Sequence, residues 1–124
     1  MAAAKQAARK DAKQDLLPGT LEMLVLKVLT IGPLHGYAIV REIQRRSSDA
    51  LVVEEGSLYP ALHRMERRGW IDAEWGASDS NRRAKFYELT RAGRTELKAQ
   101  TATWERTTGV ITQILEASAV VQER

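Results

Sequence analysis

The sequence predicts a mainly α fold with one small β-hairpin and a long closing helix, and three patterns in its 124 residues carry that reading. Apolar side chains recur at three- and four-residue steps between Leu21 and Met65. Two stretches, 71–75 and 85–89, alternate instead, and a four-three rhythm runs from Leu97 to Ser118. A content of 44% hydrophobic and 28% charged residues is that of a globular chain, and the length suits one domain with a real core.

Residues 1–15 are rich in Ala, Lys and Gln and hold no large apolar side chain after Met1, so they read as a flexible or helical basic tail. Pro18 and Gly19 change the pattern. Leu21, Leu24, Val25, Val28 and Leu29 then fall on one stripe of an amphipathic helix that Pro18 and Thr20 suit at its start and Gly32-Pro33 ends. A second helix covers Tyr37 to Arg46, with Ile39 and Ile43 inward and Arg41, Arg45 and Arg46 toward water. After a link from Asp49 to Glu55, a third runs from Gly56 to Trp70. Its Leu58, Leu62 and Met65 share one face, while Pro60, His63, Arg64 and Arg67 project from the other and Ser57 and Tyr59 flank its start. Ser57 is placed to cap it, Pro60 to sit in its first turn and Gly69 to end it, with Arg67 and Arg68 as a solvated basic end.

The alternating stretches Ile71–Trp75 and Lys85–Leu89 flank the polar loop GASDSNRRA, which predicts a hairpin with a cationic far end. Trp75 is expected to close the core at the hairpin's base. Thr90 caps the closing helix, along which Leu97, Thr101, Trp104, Thr108, Ile111, Leu115 and Ser118 form a heptad-like stripe. A small domain cannot bury so long a stripe alone, so a second copy of the chain is its expected partner, in a two-fold homodimer.

Charge and composition exclude several classes of function. There is no cysteine, which removes disulfides, thiolate metal sites and cysteine nucleophiles and fits a reducing cytoplasm. No apolar run approaches the roughly 20 residues of a membrane span, and the N-terminus lacks a signal peptide's apolar core. His35 and His63 make no ligand pair; Asp72, Glu74 and Asp79 have no fixed catalytic geometry. No nucleophile is paired with a base and no glycine loop cradles phosphate. The expectation is no enzyme, no metal and no cofactor.

Three helices, a hairpin and a closing helix, in that order, describe a winged helix-turn-helix, whose third helix enters the DNA major groove while the wing touches backbone or minor groove. Nineteen Lys and Arg against 16 Asp and Glu leave a net charge of only +3, but its distribution is uneven. Residues 57–70 hold three Arg against one Glu, and residues 81–94 five Lys or Arg against one Glu. The basic excess lies where this fold meets DNA.

The runs PLHGYAIVREI, EEGSLYPALHRMERRGWI and RRAKFYELTRAGR, in this order and spacing, resemble the PadR family of bacterial transcription regulators, over residues 16 to about 118. The single closing helix resembles the family's shorter subgroup. The chain is accordingly expected to divide into the tail at 1–15, a winged DNA-binding domain at 16–90 and a dimerisation helix at 91–124. It implies a homodimeric repressor on a palindromic double-stranded operator, relieved by a small-molecule inducer. Gly36 and Tyr37 match the family's second-helix motif, with Tyr37 open between DNA contact and boundary aromatic. The resemblance places Ser57, Tyr59, Pro60, His63 and Arg64 on the reading helix and Asn81, Arg82, Arg83 and Lys85 on the wing. Leu97, Trp104, Thr108, Ile111 and Leu115 are the expected dimer contacts. Trp104 reads as an interface anchor or, as the resemblance implies, an aromatic wall for the inducer. The alternative function is a winged-helix module that binds protein rather than DNA.

Overall fold

The computed structural model describes residue 16 and residues 19–118; the predicted tail at 1–15 and the helix-starting role of Pro18 lie outside them. Helix α1 spans Thr20–Val28 and tightens into a 3-10 turn at Leu29–Ile31, which Gly32 closes at φ 137°, a conformation that suits glycine. A two-residue strand β1, Leu34–His35, leads directly into α2, Gly36–Arg46. Helix α3 covers Glu55–Arg67, strands β2 and β3 cover Ile71–Ala77 and Arg83–Leu89, and helix α4 covers Arg91–Leu115. The sheet is antiparallel with β3 in the middle, β1 on one side and β2 on the other.

The core forms where the predicted apolar faces meet. Val25, Val28 and Leu29 from the first helix and its turn, Ile39 and Ile43 from α2, and Leu58, Leu62 and Met65 from α3 are all buried. Ile71, Tyr87 and Leu89 close the core from the hairpin, and Leu26, outside the predicted stripe, is fully buried too. Removing a side chain such as Leu58 would open a cavity costing about 2–5 kcal/mol.

Local signals account for most helix ends. Thr90 caps α4, its Oγ1 accepting from the Gly93 N–H at 3.0 Å. Helix α3 ends in a Schellman motif: Gly69 takes φ 79°, the Trp70 N–H donates to the Met65 carbonyl and the Gly69 N–H to that of Glu66. The start of α3 differs from expectation. Its N-cap is Glu54, with no side-chain cap bond, so Ser57 lies within the helix and caps nothing, and Pro60 falls in the second turn rather than the first. The exposed second turn accepts proline at the cost of one backbone hydrogen bond. His35, not anticipated in any structural role, caps α2: its Nδ1 accepts from the Ala38 N–H at 3.2 Å, and its ring packs edge-on against Phe86.

Candidate nucleic-acid interface

The exposed side of α3 is an arc rather than a single line. Tyr59 and Arg64 lie roughly 140° apart around the helix, with His63, Arg67 and Pro60 between them. Each edge of the arc is fastened to a neighbour. On one edge Tyr59 packs against the start of α2 so closely that a Cβ on Gly36 would stand 2.7 Å from its hydroxyl oxygen. Burial raises the Tyr59 phenol pKa, the carboxylate of Glu55 raises it further, and the hydroxyl donates to Glu55 at 3.4 Å.

On the other edge, Arg64 Nε donates to Glu22 Oε2 at 3.1 Å and Arg68 Nη1 to Glu22 Oε1 at 3.4 Å. Glu22, on α1, is the one buried charged residue among those described. It binds α3 to α1 behind it. Arg64, half-exposed, is thus held through its Nε by Glu22 while the rest of its guanidinium faces outward. Glu22→Ala is expected to lose about 1–2 kcal/mol of stability, short of a fully buried pair because both arginines are half in water. Urea unfolding of the single and double variants checks this. Arg64→Ala should cost less in the Glu22→Ala background than in the wild type, and equal costs would mean that the pair is uncoupled.

The wing departs from a symmetric hairpin. Register pairs Ile71 with Leu89, Ala73 with Tyr87, Trp75 with Lys85 and Ala77 with Arg83, which puts these residues on one face. That face is apolar and buried at its base, then aromatic and cationic toward the tip. Trp75 sits one pair beyond the core's edge and is 57% exposed, so it does not close the core as expected; the Ala73–Tyr87 pair does. The Arg83 guanidinium lies 4.6 Å from the centre of the Trp75 ring. Lys85 Nζ reaches Glu66 Oε1 of α3 at 3.4 Å, which joins the hairpin to that helix. On the opposite face Asp72 stands directly across from Glu88, with Glu74 beside them.

Together α2, Tyr59 and the wing enclose a concavity of about 1130 Å³. It brings together Tyr37, Tyr59, Arg82, Arg83 and Lys85 of the predicted set, and adds Arg41 and Trp75, which the prediction left out. Arg41 lies over Tyr37, 5.6 Å from the ring centre. Ser57, Pro60, His63 and Asn81 are exposed but outside the lining. Glu42 is clasped by Arg45 and Arg46, whose hydrogen bonds hold its carboxyl at a pKa of about 2. A carboxylate so paired leaves α2 without a free negative charge at this end.

Helix α4 packs its first half on α1. Leu97, expected at a dimer seam, is partly buried against the chain's own core. Trp104 faces Thr20 and Met23 across a groove of about 360 Å³, with Ala99, Gln100 and Thr103 on the helix side, and stays 40% exposed. Beyond it Val110, Ile111, Ile114 and Leu115 are 51%, 49%, 67% and 78% exposed, an apolar arc that nothing in the described chain covers. Val110 and Ile114 widen the predicted stripe. Thr108 donates its hydroxyl to the Trp104 carbonyl at 2.8 Å and so satisfies it within the helix.

Among the described residues no helix is long and apolar enough to cross a membrane, and no group of His, Cys, Asp and Glu is arranged to hold a metal. The model of the Transcriptional regulator PadR-like family matches residues 25–99. The fold is similar to a transcriptional regulator from Clostridium thermocellum, with a TM-score of 0.72 and 28% identity over 79% of this chain and 95% of that one. It is similar to a PadR family regulator from Eggerthella lenta, with a TM-score of 0.70 and 28% identity over 94% of this chain and 93% of that one. A PadR-like regulator from Bacillus cereus gives a TM-score of 0.69 and 25% identity over 81% and 95% of the two chains.

Proposed function

Because this chain belongs to the PadR-like family of transcriptional regulators, we propose that it is a homodimeric, sequence-specific DNA-binding repressor released by a small-molecule signal. The observation that carries the reading is the concavity in which Tyr37 and Tyr59 meet Arg41, Arg82 and Arg83. Its cations match the phosphate backbone, and the exposed arc from Tyr59 to His63 offers hydrogen-bonding groups to base edges. A protein-docking winged helix needs no such charge. The groove against Trp104 supports the signal: an apolar wall beside polar side chains suits a flat aromatic ligand, and the helix forming it also carries the uncovered apolar arc.

The mechanism is a coupling between sites. A ligand shifts the DNA-binding equilibrium only by the difference in its affinity for the two states, typically about 1–3 kcal/mol. The direct test compares a duplex from the DNA upstream of the gene with an unrelated duplex of equal length at matched salt. Specific regulation requires at least a roughly thousandfold preference; equal binding would favour the protein-docking alternative. Within the same assay Arg83→Ala should weaken both duplexes about equally and reduce the salt slope by about one. His63→Ala should weaken the specific duplex selectively, by about 1–3 kcal/mol. The same uniform loss from both substitutions would remove the division between positioning and reading.

A further inference from the structure

We propose that Trp75 is a positioning residue of the wing: its indole face holds the Arg83 guanidinium in the conformation that enters a DNA minor groove. The inference rests on the DNA-binding reading and adds a residue to it. Three observations lead there. A tryptophan 57% exposed near a strand tip wastes a large apolar surface unless something uses it, and on this face the core ends at the Ala73–Tyr87 pair. Arg83 stands 4.6 Å from the ring centre, the shortest cation–ring distance among the four in the described chain. Trp75, Arg83 and Lys85 share the face that opens into the concavity, whereas Asp72, Glu74 and Glu88 lie on the other.

That arrangement makes the wing one-sided. A polyanion is attracted to the aromatic and cationic face and repelled by the acidic one, so the hairpin has a single productive approach. Lys85 is held by Glu66 and lies 5.8 Å from the centre of the Tyr87 ring near the core, whereas Arg83 stacks on the exposed Trp75 ring at 4.6 Å. A long arginine fixed before binding loses less rotamer freedom on entering the groove, and narrow minor grooves attract arginine through their enhanced negative potential.

The experiment measures Kd by fluorescence anisotropy for labelled duplexes, the upstream one and the unrelated one, with Trp75→Phe, Trp75→Leu and Trp75→Ala, each also combined with Arg83→Ala. Trp75→Ala and Trp75→Leu should weaken binding by roughly fivefold, and Trp75→Phe, which keeps an aromatic face, by less than about twofold. In the Arg83→Ala background all three should change nothing further. Leucine retains bulk without a π face, so leucine behaving like tryptophan overturns the proposal, as does a Trp75→Ala loss that persists in full without Arg83. Binding of Trp75→Ala at wild-type strength overturns it while leaving the DNA-binding reading intact. A wild-type chain that binds neither duplex overturns both. Circular dichroism melts should be unchanged, since no core contact is removed.

Discussion

Gly93→Ala is expected to destabilise the fold by about 3 kcal/mol, although alanine is the better helix former by about 1 kcal/mol. A Cβ at this position would stand 2.0 Å from the Trp70 carbonyl oxygen and 2.9 Å from Leu89 Cδ2. The first of these is backbone, and it cannot swing aside like the end of a side chain. The same oxygen accepts the Thr90 N–H at 3.1 Å, so moving it disturbs the cap of α4 as well as the start of β2. Urea unfolding followed by circular dichroism measures the loss. Gly109→Ala supplies the control: it lies on the same helix, a Cβ there meets nothing within 4 Å, and it should stabilise by about 0.5–1 kcal/mol. A Gly93→Ala protein as stable as the wild type would mean that the junction between hairpin and α4 is looser than its geometry indicates.

The second large effect concerns assembly. Ile111→Lys combined with Leu115→Lys places two charges in the exposed arc of α4, where neither side chain is part of the core. Folding should be retained, and light scattering is expected to find a dimer for the wild type and a monomer for the double variant. Two reading heads on one body bind a palindrome with an affinity raised by about 10²–10⁴ through effective concentration. The double variant should therefore bind the upstream duplex at least roughly a hundredfold more weakly, with the loss much smaller for a single half-site. A wild type that runs as a monomer would overturn the proposed dimer, and a variant still dimeric would place the self-association surface elsewhere.

How much of this was legible beforehand depends on how local each signal is. Leu58, Leu62 and Met65 announce their face by spacing alone, and Gly69 and Thr90 announce helix ends because left-handed geometry and capping need those residue types. Trp75 was misplaced because alternation tells which face a strand residue takes and not how far along the hairpin the core extends. Arg64 looked free because periodicity sees one helix at a time, while its partner Glu22 lies 42 residues away. Strand β1 is too short for any period to show. The glycine before Tyr37 had a legible identity without a legible reason: it clears space for Tyr59, a contact that only tertiary structure creates. Val110 and Ile114 escaped because a strict four-three rhythm follows one line along a helix, whereas the exposed arc is wider than a line.

The knot formed by Gly69, Trp70, Thr90 and Gly93 bears on how force travels through the molecule. Thr90 donates its hydroxyl to the Gly69 carbonyl at 2.6 Å and its N–H to that of Trp70, while its Oγ1 also receives the Gly93 N–H. Three successive junctions, the end of α3, the root of the hairpin and the start of α4, are pinned at one point. Helix α4, with 25 residues, is then a stiff lever about 37 Å long with no joint at its fulcrum. A tilt of about 5° at this knot would displace the far end of α4 by about 3 Å. A small change of angle at the knot is thus magnified along α4 and appears at its exposed apolar arc.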